Sequence, residues 1–200
     1  MYDHKINQSG PGTNWDPKQK RLIGCSHIVT VNNLLSLDNY HLFVKCAYAR
    51  NYLEQSPELI FWEDLYDRMQ FKRVGFSKRG EFNELINSVL KNGFKKISPI
   101  PVNPQYKILD GSHRVAASFA CRVNPLVQIY KNTAHSYARS WFESVGFTKL
   151  ELAAIDAYRD KIIERYSDVL NQQVAIVWGS ALEYWDEIIS LIETKNLLTA

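Results

Sequence analysis

The feature that most constrains this 200-residue chain is a short apolar β segment that runs through a glycine directly into a helix. Residues 106–110, YKILD, are typical of a strand, and Gly111 makes the turn. Val115, Ala116 and Phe119 then recur at helical spacing, which predicts a helix with these side chains facing inward. A strand that delivers polar residues to a helix N-terminus favours an α/β core with an anion site at the turn.

The polar residues of this turn predict phosphate binding. Gly111 and Ser112 supply backbone amides at the positive end of the helix dipole, and Arg114 can add a forked cation. Asp110 can cap the helix, hold magnesium through water or accept a proton from a hydroxyl nucleophile. His113 can stabilise a transferring phosphoryl group or act as an acid. The alternative is that Asp110 and Ser112 only cap the helix while Arg114 makes a surface ion pair.

Strands and helices alternate through the first two thirds of the chain. A strand is predicted around Ile28–Val31, ending at the Asn32-Asn33 pair, and a helix over 42–53 after the cap candidates Asp38 and Asn39. The aromatic and charged stretch 59–80 fits neither period. The clearest helix covers 81–92 with Gly93 as its C-cap, and short β segments are predicted at 97–104 and 125–130.

The remainder is predominantly helical in pattern. Thr148 and Glu151 form a Thr-x-x-Glu capping box ahead of a helix, and an apolar β-type run at 174–178 precedes a last amphipathic helix. We therefore expect a flexible N-terminal arm over 1–24, an α/β core domain over 25–132 and a mainly helical C-terminal lobe over 133–200.

Composition excludes several classes of protein. Lys and Arg total 24 against 21 Asp and Glu, a net charge of +3, and this positive charge is dispersed, so nucleic acid is not an expected partner. The three cysteines form no CxxC pair and the five histidines no HExxH spacing, so no dedicated metal cage is expected. Without a membrane-length apolar run or a signal-peptide pattern, a cytoplasmic protein is predicted.

One stretch departs from this dispersed charge. Lys72, Arg73, Lys78 and Arg79 are interleaved with Phe71 and Phe76, a pattern that can follow a polyanion through charge and stacking. A solvated loop explains the same residues.

The stretch KNGFKKISPIPVNPQYKILDGSHRVAASFACRVNPLVQIY, residues 91–130, resembles the ParB/sulfiredoxin-like superfamily. The resemblance covers roughly residues 25–130 and implies that superfamily's core of mixed sheet and helices. Sulfiredoxins carry a catalytic cysteine in a Gly-Cys-His-Arg turn, where this chain has Ser112, so a sulfinic acid reductase is disfavoured. Partition-type ParB proteins carry Gly-Glu-Arg-Arg and an upstream box for CTP, which this chain lacks.

The free serine kinases of the superfamily carry Asp-Gly-His-His-Arg. Asp110, Gly111, His113 and Arg114 match that motif, and Ser112 replaces its first histidine. The resemblance implies ATP or ADP phosphates on the turn, with magnesium, and a small hydroxyl-bearing acceptor beside Asp110. These kinases also use an acidic residue from the loop after the first strand.

Three further residues are candidates for substrate binding. Asp38 is the nearest acidic residue to the loop that those kinases use, and Lys45 and Tyr48 on the next helix are alternatives. Each of the three is also explained as an ordinary helix-surface residue.

Two further segments resemble ParB-like proteins that accompany surface-polysaccharide assembly. The matching segments are residues 40–48, YHLFVKCAY, and residues 178–188, WGSALEYWDEI. This implies a sugar, a polyol or an amino acid as the acceptor.

The leading hypothesis is a nucleotide-dependent kinase acting on a small hydroxyl compound. The first alternative is a ParB-like DNA-binding or nucleotide-sensing module without turnover, which the modest charge of +3 disfavours. A second is an interaction domain in which the Asp110 turn is only a helix cap.

Overall fold

A computed structural model describes residues 26–94, 97–134 and 136–171 of the chain. Several sequence predictions lie outside these ranges: the N-terminal arm, the β-type run at 174–178, the last helix and the 178–188 segment. The described residues contain three strands and six α-helices. The predicted α/β class with an excess of helix is confirmed, whereas the ParB/sulfiredoxin-like assignment stays a prediction.

Helix α1 (Tyr40–Glu54) is buried on every side over its first ten residues. All residues from Tyr40 to Ala49 are buried, including His41 and Lys45, and only the last turn reaches the surface. A helix without a solvent face belongs at the centre of a domain. The helix starts after Asn39, one of the predicted cap residues, and ends at Gln55 in a left-handed conformation.

Two more helices follow α1 in the chain. Helix α2 (Leu59–Val74) lies against α1, and α3 (Arg79–Asn92) packs on the helix that follows the glycine turn. The predicted helix α3 and its Gly93 C-cap are confirmed. Helix α2 occupies the stretch that fits neither period in sequence.

The sheet is small and mixed, in the order β1-β3-β2. Strand β2 (Ile100–Val102) pairs in parallel with β3 (Leu126–Ile129), and β1 (His27–Ile28) pairs antiparallel with β3. Helix α4 (Ser112–Ala120) connects the parallel pair and packs on α1 and α3. Because parallel neighbours need such a crossover, the βαβ unit positions the start of α4 next to the central helix.

Two predicted strands are shorter than expected. The first ends at Ile28, and Val31–Leu34 form a 3-10 turn that buries Val31 and Leu34 in the core. In the predicted segment 106–110, Ile108 makes only an isolated bridge to Val102. In both segments the apolar side chains reach the core from a turn, so the backbone there forms few or no hydrogen bonds to a neighbouring strand.

Helix α5 (Arg139–Ser144) and helix α6 (Lys149–Asn171) complete the described chain. One compact unit ends at Arg159, and of the next unit, which starts at Asp160, the described residues are 160–171. The predicted boundaries after residues 24 and 132 stay predictions. None of the helices in the described part combines the length and the apolar character that a membrane crossing requires.

The capping box at the start of α6 is confirmed and generates a test. The Thr148 amide donates to Glu151 Oε2 at 2.7 Å, and the Glu151 amide donates to Thr148 Oγ1 at 3.3 Å.

Since Thr148→Ala removes one of these two bonds, we expect it to lower the free energy of unfolding by about 1 kcal/mol. Urea denaturation measures this loss. The exposed neighbour Lys149→Ala is the control, with an expected change within about 0.5 kcal/mol. Equal losses in the two variants would contradict the capping role.

Candidate functional site

The turn that ends the segment after β2 leaves the N-terminus of α4 without a side-chain cap. Gly111 adopts a left-handed conformation with φ of 88°, and α4 begins at Ser112 with no side chain of the described residues bonded to its first amides. The first amide paired within the turn is that of Val115, which donates to Gly111 O at 3.0 Å. The preceding amides and the positive end of the helix dipole are available to an anion.

Lys45, from the middle of α1, reaches this turn. Its Nζ donates to Ser112 Oγ at 2.6 Å, and the side chain is fully buried. No carboxylate in the described ranges lies within ion-pair distance of it. Burial, and then repulsion from Arg73, hold the pKa of Lys45 well below its usual range, while Asp110 opposes the shift. A buried ammonium without a counterion is costly, so this site favours either a neutral amine or a bound anion.

Two more cations act on the same region. Arg73, near the end of α2, lies over the Tyr137 ring at 5.3 Å, and its buried Nη1 has no hydrogen-bond partner in the described residues. Lys78, just before α3, contributes to lowering the pKa of both Lys45 and His113. The electrostatic potential around the start of α4 is therefore positive.

His113 is held as a neutral ring by groups from α2. Tyr66 Oη lies 2.9 Å and Gln70 Nε2 lies 2.7 Å from His113 Nε2. Because the Gln70 amide nitrogen donates, Nε2 accepts, so the ring proton is on Nδ1. Burial, then Lys45 and Arg73, hold the pKa of His113 well below its usual range. His113 is therefore a neutral hydrogen-bond donor near pH 7 and not a cationic acid.

Arg114 closes the turn from the other side. Its Nη1 donates to Ser98 O at 2.9 Å and to Pro99 O at 3.0 Å, and its Nη2 lies 3.3 Å from Asp110 Oδ2. These bonds hold the guanidinium against the Gly111 backbone and fix the position of Asp110. Asp110 itself remains 54% exposed.

A cavity of about 260 Å³ opens in front of the turn. This is slightly below the volume of typical small-molecule sites, about 300–1,000 Å³, so it suits a phosphate group or a small metabolite better than a whole nucleotide. Cationic, acidic and aromatic side chains line it: Lys78, Glu81, Phe82, Leu85, Asp110, Gly111, His113 and Arg114.

The structure brings six of the predicted site residues together, namely Asp110, Gly111, Ser112, His113, Arg114 and Lys45. Tyr48 does not reach the turn directly. It is fully buried, donates to Asn83 Oδ1 at 2.6 Å and stacks on Tyr66 at 4.9 Å, and burial raises its pKa to about 12. Asp38 is exposed before α1, and none of its contacts links it to the turn within the described residues.

Helix α2 supplies side chains to this site that the sequence pattern does not predict there. Tyr66, Gln70 and Arg73 follow each other at helical spacing on the face that also buries Trp62 and Met69. The signal is this i, i+4, i+7 repeat, which is hard to recognise because Gln70 and Arg73 are polar residues on an otherwise apolar and aromatic face. In the basic stretch, Arg73 and Lys78 act on the site, whereas Arg79 pairs with the carboxylates of α2 at 3.2 and 3.3 Å.

The described residues hold no group of three or more His, Cys, Asp or Glu side chains placed to bind a metal. A comparison with protein-family models, curated proteins and solved structures finds no match to this chain. What the site can do therefore depends on its own geometry.

The contact between Gly111 and Arg114 generates the first test of the site. A Cβ at Gly111 would lie 2.6 Å from Arg114 Nη2, whereas a Cβ at Gly75, with φ of 84°, would meet nothing within 4 Å. Both alanine variants carry left-handed strain of about 1–2 kcal/mol. Gly111→Ala must also displace the guanidinium from its acceptors, so we expect a further loss of about 1 kcal/mol or more. Urea unfolding of both variants measures the difference, and equal losses would show that the guanidinium moves freely.

The neutral histidines generate a pH prediction. His113 and His41 both have a pKa well below the model-peptide value of 6.5, chiefly through burial. Below about pH 6.5 the unfolded chain binds protons that the folded chain does not, so stability falls with falling pH by up to about 1.4 kcal/mol per pH unit for each histidine. We expect His113→Gln to lose less stability than the parent between about pH 7 and pH 5. Urea unfolding at both pH values measures this, and unchanged pH dependence would contradict the buried neutral ring.

Proposed function

We propose that this chain is a phosphotransferase that binds nucleotide phosphates at the Asp110–Arg114 turn and transfers a phosphoryl group to a hydroxyl of a small molecule. One observation carries the proposal: the N-terminus of α4, uncapped within the described residues, opens to a cavity lined by Lys78, and Arg73 and Lys78 add positive charge around it.

Phosphate suits this arrangement better than other ligands. A buried nitrogen of Arg73 has no hydrogen-bond acceptor in the described ranges, and Lys78 lines the cavity. A phosphate chain would supply both negative charge beside these cations and the missing acceptor oxygens. The free amides at the start of α4 add donors that need no reorganisation, which is how phosphoryl transfer is generally stabilised.

Asp110 and His113 have separate roles in this proposal. Asp110 is largely exposed at the cavity and is oriented by Arg114, so it can accept the proton of an acceptor hydroxyl. His113 Nε2 is occupied by Tyr66 and Gln70, which leaves Nδ1–H to donate to a phosphoryl oxygen. As a neutral donor it stabilises the transferring group without supplying a proton to it.

Magnesium fits this site only together with phosphate. Asp110 and Glu81 are the carboxylates that line the cavity, and magnesium is commonly held by one or two carboxylates plus substrate phosphates. When bound there, the ion would neutralise charge on the transferring group. The cations around the turn would repel a free divalent ion, so we assign it to the nucleotide complex.

The resemblance of Asp110-Gly111-Ser112-His113-Arg114 to the free serine kinases favours ATP or ADP as the donor. The same resemblance favours an amino acid as the acceptor. The resemblance of the segment at residues 40–48 favours a sugar or a polyol. The cavity volume of about 260 Å³ is consistent with phosphates or a small acceptor. A nucleotide donor agrees with the cytoplasmic location predicted from the sequence.

Thermal unfolding with ATP, ADP and CTP, each with and without magnesium, tests binding. A ligand at about 100 times its Kd adds about 2.7 kcal/mol of stability, so ATP or ADP should raise the Tm clearly. Lys78→Ala should lose this rise. Lys72→Ala, an exposed lysine on α2, is the matched control and should keep it. A response to CTP alone, or to no nucleotide, would overturn the proposal.

Turnover then tests transfer in a panel of amino acids, sugars and polyols, with release of the shortened nucleotide, ADP from ATP or AMP from ADP, as the readout. Asp110→Asn keeps the size of the side chain but removes the base, so we expect a loss of at least about 100-fold in kcat with the nucleotide-induced Tm rise retained. Parent-like turnover in both Asp110→Asn and His113→Ala would contradict the assigned roles.

A further inference from the structure

Direct transfer from nucleotide to acceptor gives no role to the contact between Lys45 and Ser112. Lys45 Nζ lies 2.6 Å from Ser112 Oγ, at the centre of a helix that is otherwise packed with apolar and aromatic side chains. A methionine would fill the same space without burying a charge. A buried lysine beside a hydroxyl is the arrangement of a base next to a nucleophile.

The lysine has the properties of a base. Burial and the repulsion of Arg73 hold its pKa well below the usual range, which favours the neutral amine. A neutral amine has a lone pair that can accept the Ser112 proton. The nearby Asp110 then stabilises the ammonium that forms, because it is the one negative charge that acts on Lys45 from the turn.

The serine has the position of a nucleophile. Ser112 is half-buried at the edge of the cavity: it does not line the cavity itself, but its neighbours in sequence, Gly111 and His113, both do. It is also the first residue of α4, so a group bonded to its Oγ would lie beside the uncapped amides. Those amides would stabilise negative charge on the equatorial oxygens of a phosphoryl group.

We propose that Lys45 and Ser112 act as base and nucleophile and that the phosphoryl group passes through a phosphoserine at Ser112. This inference rests on the phosphotransferase function proposed above. It adds a covalent intermediate and gives two residues catalytic roles.

The first step forms a bond between Ser112 Oγ and the terminal phosphorus of the nucleotide. The bond from that phosphorus to the bridging oxygen breaks, the bridging oxygen leaves with the shortened nucleotide, and the Ser112 proton passes to Lys45 Nζ. In the second step the acceptor oxygen attacks the phosphorus and its proton passes to Asp110. Ser112 Oγ leaves and takes back the proton from Lys45. The net reaction moves one phosphoryl group, and the kinetics should be ping-pong.

The test uses the full chain, magnesium and γ-labelled ATP, without an acceptor. Acid-quenched protein is analysed by intact mass and by peptide mapping. We expect one phosphoryl group per chain, located on Ser112. Ser112→Ala should carry none, and Lys45→Met should incorporate it at least about 100-fold more slowly. Adding an acceptor that supports turnover should remove the label.

The controls separate chemistry from folding. Ser118→Ala removes another serine of α4, fully buried and without a hydrogen-bond partner in the described chain, and should be labelled like the parent. Ser112→Ala, Ser112→Cys and Ser118→Ala should keep the nucleotide-induced rise in Tm, and the labelling of Lys45→Met is measured at saturating ATP. Ser112→Cys, which keeps a nucleophile at this position, should retain labelling as a phosphocysteine that is more labile to hydrolysis.

The outcomes distinguish this inference from the function on which it rests. A nucleotide-induced rise in Tm with no label on Ser112 would overturn the phosphoserine and leave direct transfer standing. If no nucleotide binds, the phosphotransferase itself fails, and a fluorophosphonate probe tests the pair alone. Labelling of Ser112 that is lost in Lys45→Met would then support the base and nucleophile roles. No labelling would overturn them.

Discussion

The structure is organised around one buried charge-bearing group. Lys45 occupies the middle of a helix with no solvent face, and no carboxylate in the described residues pairs with it. Removing an ammonium from water without a counterion costs several kcal/mol. The start of α4 offsets this cost only in part, because Ser112 offers a hydroxyl and not a charge. The rest of the cost is avoided when Lys45 gives up its proton, or when an anion from solution binds beside it.

The surroundings of Lys45 determine which of these can occur. Arg73 and Lys78 add positive charge, His113 stays neutral, and Asp110 is held at the mouth of the cavity by Arg114. In such a field the lysine gives up its proton readily, so its contact with Ser112 is one between a neutral amine and a hydroxyl.

The sequence predicts helices and caps well where the buried side chains are apolar and the capping contacts lie within one turn. Helix α3 has an apolar face and a glycine C-cap, and the Thr148 box is closed by contacts within one turn. The sequence pattern does not identify α2 as a helix, because a buried polar residue interrupts its apolar face. That residue, Gln70, is buried by its contact with His113, 43 residues further along the chain. Lys45 could be named as a candidate but not understood, since Ser112 is 67 residues away in sequence. Helical periodicity records which residues share a face, and not which distant side chain meets that face.

The burial of the first ten residues of α1 also affects how the site forms. A helical segment buried on every side depends on the packing of its neighbours for stability, so we expect α1, α2 and α4 to assemble in one cooperative step. Lys45 acquires its altered proton affinity only in that step, because desolvation is the main cause of the shift. Partly folded molecules would thus carry an ordinary surface lysine and an ordinary serine. Amide hydrogen exchange along α1 would measure the fraction of chains in which the pair exists at all.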